Sequence, residues 1–93
     1  MRDYSPAMID DLSDKPESVA ARLQRVREVM DLSKRDFAER AGMSEQSYGP
    51  FENAKRPLSL EAAKKLRKAY GLSLEFLYFG NTDALPHKIA KAL

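Results

Sequence analysis

Apolar residues recur along most of the chain at the three- and four-residue spacing of a helix. Nowhere do they alternate with polar ones as a half-buried strand requires. The clearest stripe is Val19, Leu23, Val26 and Met30. Pro16 suits a first helical turn, where its missing N–H would have no partner anyway, and Glu17 complements the positive helix end. These features predict a first helix from about Glu17 to Asp31. Ser33 has the character of an N-cap and predicts a second helix, Lys34 to Ala41, with Phe37, Ala38 and Ala41 turned inward and Gly42 as its stop. Ser44 caps a third helix that begins at Glu45. Ser59 opens a fourth, with Leu60, Ala63, Leu66 and Tyr70 on one face and Gly71 at its end. Ser73 opens a short fifth containing Leu74, Leu77 and Tyr78, closed by Gly80 and Asn81. Beyond Pro86, the residues Ile89 and Leu93 with Leu85 suggest one last short helix. The expectation is an all-α fold, a compact bundle of four to five helices joined by two to six residues.

Residues 1–16 show no sustained period and contain Pro6 and Pro16, which reads as a flexible arm with Met8, Ile9 and Leu12 available for local docking. The chain divides accordingly into an acidic arm (1–16), a helical domain (17–80) and a short C-terminal helical extension (81–93). A net charge of +2 implies little by itself. Its distribution adds something: residues 1–17 hold five acidic and two basic side chains, the remainder fourteen basic and nine acidic. A basic body behind an acidic arm is compatible with a polyanionic partner and, almost as well, with an ordinary solvated surface.

Candidate chemistry is sparse. Without cysteine there is no disulfide, thiol nucleophile or thiolate metal site, and His87 alone cannot build a zinc site of the usual composition. No apolar run approaches the length of a bilayer span, and the N-terminus lacks a basic-then-apolar leader pattern. No nucleophile–base pair, metal spacing or phosphate loop is visible. The expectation is a cytoplasmic protein that is not an enzyme, with no metal, cofactor, small-molecule ligand or membrane partner.

The segment Leu32 to Tyr48 concentrates the remaining signal. Two short helices joined by about three residues must cross steeply, which asks for a small residue where they touch, Ala38, and a turn former, Gly42. Tyr48 then buries its ring between the helices. This spacing defines a helix-turn-helix from about Ser33 to Asn53.

Residues 22–80 resemble the lambda-repressor-like (Xre, or phage repressor and Cro) helix-turn-helix family. The matching residues are Arg27, Leu32-Ser33, Phe37-Ala38, Gly42-Met43-Ser44, Phe51-Glu52-Asn53, Lys55-Arg56-Pro57 and Gly71-Leu72-Ser73-Leu74. The tail Leu77-Tyr78-Phe79-Gly80 with Leu85-Pro86 is similar to a phage-derived branch. The resemblance implies a sequence-specific, double-stranded-DNA-binding regulator, a repressor acting as a homodimer on palindromic half-sites. Its second motif helix, about Glu45 to Asn53, would lie in the major groove. Arg27 and Glu52 match positions that form an internal ion pair, holding that helix rather than reading DNA.

At the second position of an inserted helix, the amide of Gln46 can engage adenine N6 and N7 together. Glu45 could accept from a cytosine amino group or simply favour the helix N-terminus. Ser47 suits either a phosphate or a base. Lys34 stands where the family usually places a phosphate-contacting glutamine, and Arg35, Asn53, Lys55 and Arg56 would complete the backbone grip. Lys64, Lys65, Arg67 and Lys68 form a basic run that reads as a solvated face, with attraction to DNA as the lesser role. Tyr78, Phe79, Leu85, Ile89 and Leu93 exceed the needs of so small a core and suggest a dimer contact, against packing of the C-terminal segment.

The pattern breaks at Gly49-Pro50, inside the third helix. Proline there lacks an N–H and meets the carbonyl of Gln46, costing roughly 3 kcal/mol in a regular helix interior. The dipeptide predicts a kink, with base reading confined to Glu45, Gln46, Ser47 and close backbone approach at Gly49. Ala54 also replaces the usual glycine after the helix, giving a weaker cap. The same departure supports an alternative, in which the fold serves as a protein-interaction module such as an anti-activator or antitoxin.

Overall fold

The computed structural model describes residues 13–93. Six helices follow in order: α1 (Pro16–Val29), α2 (Lys34–Arg40), α3 (Glu45–Glu52), α4 (Leu60–Tyr70), α5 (Leu74–Phe79) and α6 (His87–Ala92). No strand occurs among the described residues. The fold is all-α, with six helices among the described residues rather than four or five, and the short helix expected after Pro86 is α6. The expected docking of Met8, Ile9 and Leu12 falls outside the described residues.

Four helices begin at serines whose hydroxyls accept the N–H three residues on. Ser33 accepts from Asp36, Ser44 from Ser47, Ser59 from Ala62 and Ser73 from Phe76. Each hydroxyl replaces a carbonyl that the helix start lacks, an interaction worth about 1 kcal/mol. Helix ends are set by left-handed residues. Gly42 takes φ 81° after α2, which lets the Met43 N–H return to the Ala38 carbonyl at 2.9 Å. That return swings the chain abruptly into α3. Gly71 has a second constraint besides φ 74°: a Cβ there would lie 2.9 Å from Cγ of Pro86, where the C-terminal segment crosses the end of α4.

Two residues adopt the left-handed region without being glycine, Asp31 (φ 57°) and Ala54 (φ 64°). Asp31 closes α1, with its own N–H on Glu28 and that of Leu32 on Arg27. Ala54 closes α3 similarly, since Lys55 and Arg56 both donate to the Pro50 carbonyl at 2.9 and 3.1 Å. Short polar side chains tolerate this geometry and alanine does not, so Ala54 carries a strain of roughly 1–2 kcal/mol.

Pro50 lies inside α3 without ending it: helical hydrogen bonds continue to Asn53, which donates to Gly49 at 3.0 Å. The one bond that Pro50 cannot make would have gone to the carbonyl of Gln46, an exposed residue whose carbonyl water can serve.

The core gathers Val19, Leu23 and Val26 of α1 with Phe37, Ala38, Tyr48, Leu58, Ala63, Leu66, Leu72, Phe76 and Leu77. Phe37 is its centre, stacked on Tyr70 with centroids 4.5 Å apart and tilted against Tyr48 at 5.4 Å. α1 packs against α3, α5 and α6, and α2 against α3. Two inward expectations change. Leu60 is 53% exposed, so α4 buries Ala62, Ala63 and Leu66 instead. In α5 the buried pair is Phe76 and Leu77, and Tyr78 is half-buried with its hydroxyl donating to the Leu58 carbonyl at 2.7 Å.

Candidate nucleic-acid interface

α3 has two chemically opposed faces. Its inward face sets Tyr48 and Glu52 one turn apart, both buried. The Glu52 carboxylate receives Arg27 of α1 as a fork, Nε at 2.9 Å to Oε2 and Nη2 at 2.8 Å to Oε1, and receives the Tyr48 hydroxyl at 2.7 Å. Arg27 Nη1 donates as well to the Leu32 carbonyl at 2.9 Å, just before α2. One guanidinium thus joins α1, the corner before α2 and the end of α3. A buried carboxylate that accepts from a planar fork and a phenol has well-directed donors for its charge. The hydrogen bonds to Glu52 hold the Arg27 pKa above its ordinary value despite partial desolvation. Burial, and then the bond to Glu52, push the Tyr48 hydroxyl well above the usual phenol range.

The outward face is open. Glu45, Gln46 and Ser47 are exposed, Gly49 and Pro50 half-exposed. Ser44 Oγ donates to Ser47 Oγ at 3.0 Å, leaving the Ser47 hydroxyl hydrogen to point elsewhere. Beside this face runs a cleft of about 540 Å³ that brings Gln46, Ser47 and Pro50 together with Phe51, Arg56, Pro57 and Ser59. An adjoining hollow of about 250 Å³ shares Ser47, Phe51 and Ser59 and extends to Lys65 on α4. Phe51, Pro57 and Ser59, named from sequence only as family matches and a helix cap, were not expected to wall the interface. No local pattern marks this wall, because it forms only when the loop after Ala54 folds back along α3.

The expected phosphate-contacting set separates into two groups. Lys34 and Arg35 open α2, Lys34 half-buried and Arg35 exposed in a loose 3.4 Å pair with Glu39. Lys55 and Arg56 follow α3 and are exposed, with Arg56 lining the cleft beside Gln46. Asn53 is exposed but works locally, its Oδ1 accepting the Lys55 N–H at 3.1 Å. Lys64, Lys65, Arg67 and Lys68 are all exposed along α4.

The residues expected at a dimer contact are not all available. Leu85 and Ile89 are buried in the chain's own core, where α6 folds back on α1. Tyr78 and Leu93 are half-buried against that core, and Phe79 is 52% exposed. The apolar surplus is therefore consumed in part by the segment from Leu85 through the sixth helix, and the surface left is Phe79 with the edges of Tyr78 and Leu93. Arg22 was also not anticipated. It is fully buried and donates to the carbonyls of Leu77 at 3.2 Å and Ser13 at 2.6 Å. Its place in the apolar stripe, three residues after Val19 and four before Val26, was the signal.

Among the described residues, no acidic, histidine or cysteine cluster could hold a metal ion, and no helix is long and apolar enough to cross a membrane. A helix-turn-helix family model matches residues 23–77, more than half of the chain, from the middle of α1 into α5. Neither the curated proteins nor the solved structures compared with the chain give a match.

Proposed function

The chain belongs to the helix-turn-helix family and carries its DNA-binding regulatory domain, and from that membership we propose a cytoplasmic, sequence-specific repressor of the lambda-repressor-like, phage-derived branch. It acts without enzymatic chemistry, by inserting α3 into the major groove. The observation that carries this reading is the division of α3 into a pinned inner face and an open outer one bordered by Arg56. A reading helix must hold its position to about an ångström while leaving polar groups free, and this division supports both needs. In this reading Gln46 engages an adenine, Glu45 and Ser47 contact neighbouring groups, and Gly49 lets DNA approach closely. Lys34, Arg35, Asn53, Lys55 and Arg56 supply phosphate contacts that set register. Residues 17–80 form the DNA-binding unit, 1–16 an acidic arm and 81–93 an extension. Two copies meet through Phe79, with Tyr78 and Leu93 at the rim, and cover half-sites about one helical turn apart.

Selection of bound sequences from a random DNA pool, followed by titration at two salt concentrations, tests the proposal. A palindrome should emerge, and each phosphate contact removed, as in Lys55→Ala, should lower the salt slope by about 0.9. Binding no tighter to any selected sequence than to random DNA would overturn the proposal and leave a protein-interaction module in its place. Gln46→Ala should relax preference at one base position and leave the fold intact.

A further inference from the structure

The outer face of α3 holds a proline in the helix interior that its own fold does not require. Gly49 has an ordinary helical backbone, and a Cβ built on it would meet nothing within 4 Å. Positive φ does not explain a glycine there, but the following proline does in part, because its Cδ crowds the Cβ of any other residue that precedes it in helical geometry. Pro50 also leaves the Gln46 carbonyl without its helical donor. Its ring lines the cleft with Gln46, Phe51 and Arg56, so an apolar patch stands between an amide and a guanidinium.

Resting on the DNA-binding reading above, we infer that Pro50 is a specificity-determining residue that packs on the 5-methyl group of a thymine, with the bare Gly49 beside it leaving room for the base pair to approach. Thymine alone among the bases offers an apolar group in the major groove, and it is recognised by apolar contact. Gln46 and Pro50 are four residues apart on one helical face, about 6 Å along the axis. Successive base pairs rise about 3.4 Å, so the two side chains reach adjacent or next-adjacent pairs. The amide then reads an adenine and the ring a methyl, making the half-site rich in A·T pairs at those positions. Arg56 on the rim of the same cleft draws in the phosphate that borders them.

The test uses the full chain and the duplex it selects, with each thymine replaced in turn by deoxyuridine, which lacks only the methyl group. One position per half-site should bind about fourfold more weakly, the effect of one lost apolar carbon. Pro50→Ser should bind thymine and uracil equally at that position, whereas Gln46→Ala should keep the ratio. Gly49→Ala should weaken binding to both duplexes. A wild-type chain that binds its selected site specifically but is indifferent to every thymine-to-uracil change overturns the inference while DNA reading stands. Retention of the ratio by Pro50→Ser does the same. Failure to select any sequence removes the DNA reading itself and this inference with it.

Discussion

The inner and outer faces of α3 are made of eight consecutive residues, yet they obey different rules. Inside, Tyr48 and Glu52 have every polar atom engaged and almost no exposure, and Arg27 reaches them from another helix. Outside, Glu45 and Gln46 make no hydrogen bond from their side chains to another described residue, and Gly49 and Pro50 weaken the helix that carries them. Stability and recognition are therefore separated by about half a helical turn. An inner face that determines where α3 lies leaves the outer face at liberty to be chosen by its partner.

That contrast predicts a graded series in unfolding measurements. Arg27→Met should do most harm: it strands a carboxylate whose side chain is 2% exposed, and the expected loss is about 3–5 kcal/mol in chemical denaturation. A loss below 1 kcal/mol would mean that the inner face does not hold α3. Glu52→Gln should be milder, about 1–3 kcal/mol, because Arg27 retains an acceptor and its side chain is 15% exposed.

Tyr48→Phe keeps the ring against Phe37 and removes the phenol, at a cost of about 1–2 kcal/mol. It also sharpens the pH dependence. Burial raises the Tyr48 pKa in the folded state, so its contribution is complete below the unfolded value of about 10 and declines as pH rises further. Wild-type stability should fall in alkali for this reason, and Tyr48→Phe should flatten part of the fall. Tyr70 and Tyr78, raised mainly by burial, sustain the rest.

At the exit of α3, Ala54→Gly should gain about 1 kcal/mol by relieving the left-handed alanine, seen as a raised denaturation midpoint. On the outer face, Gln46→Ala should change stability by less than about 0.5 kcal/mol. A larger change would show that the outer face shares in holding the fold and would blur the distinction.

Much of this arrangement was legible along the chain, for reasons that differ by element. Ser33, Ser44, Ser59 and Ser73 mark helix starts because capping is local: the hydroxyl and the N–H it accepts are three residues apart. Gly42 marks the turn because few other residues sit comfortably at φ 81°. The effect of Pro50 was less legible. A proline in a helical pattern implies a kink; in α3 the bond lost belongs to the carbonyl of an exposed residue, and the helix continues through the dipeptide to Glu52. Leu60, Leu85 and Ile89 show the other kind of ambiguity, since apolar character alone does not tell whether a residue meets its own core or a partner. Phe51, Pro57 and Ser59 form a cleft wall visible only after the chain has turned at Ala54.

The sequence by itself determined the all-α class, four helix caps and the turn at Gly42, because each depends on residues within a turn or two of one another, and the family membership, because its pattern is spread along residues 23–77. Only the tertiary structure decided that Arg27 serves three elements at once, that Arg22 is buried, that the chain's own core takes up Leu85 and Ile89, and that Gln46, Pro50 and Arg56 share one cleft. Those facts depend on segments brought together by core packing, and the choice among many apolar pairings is made by the whole core rather than by any local pattern.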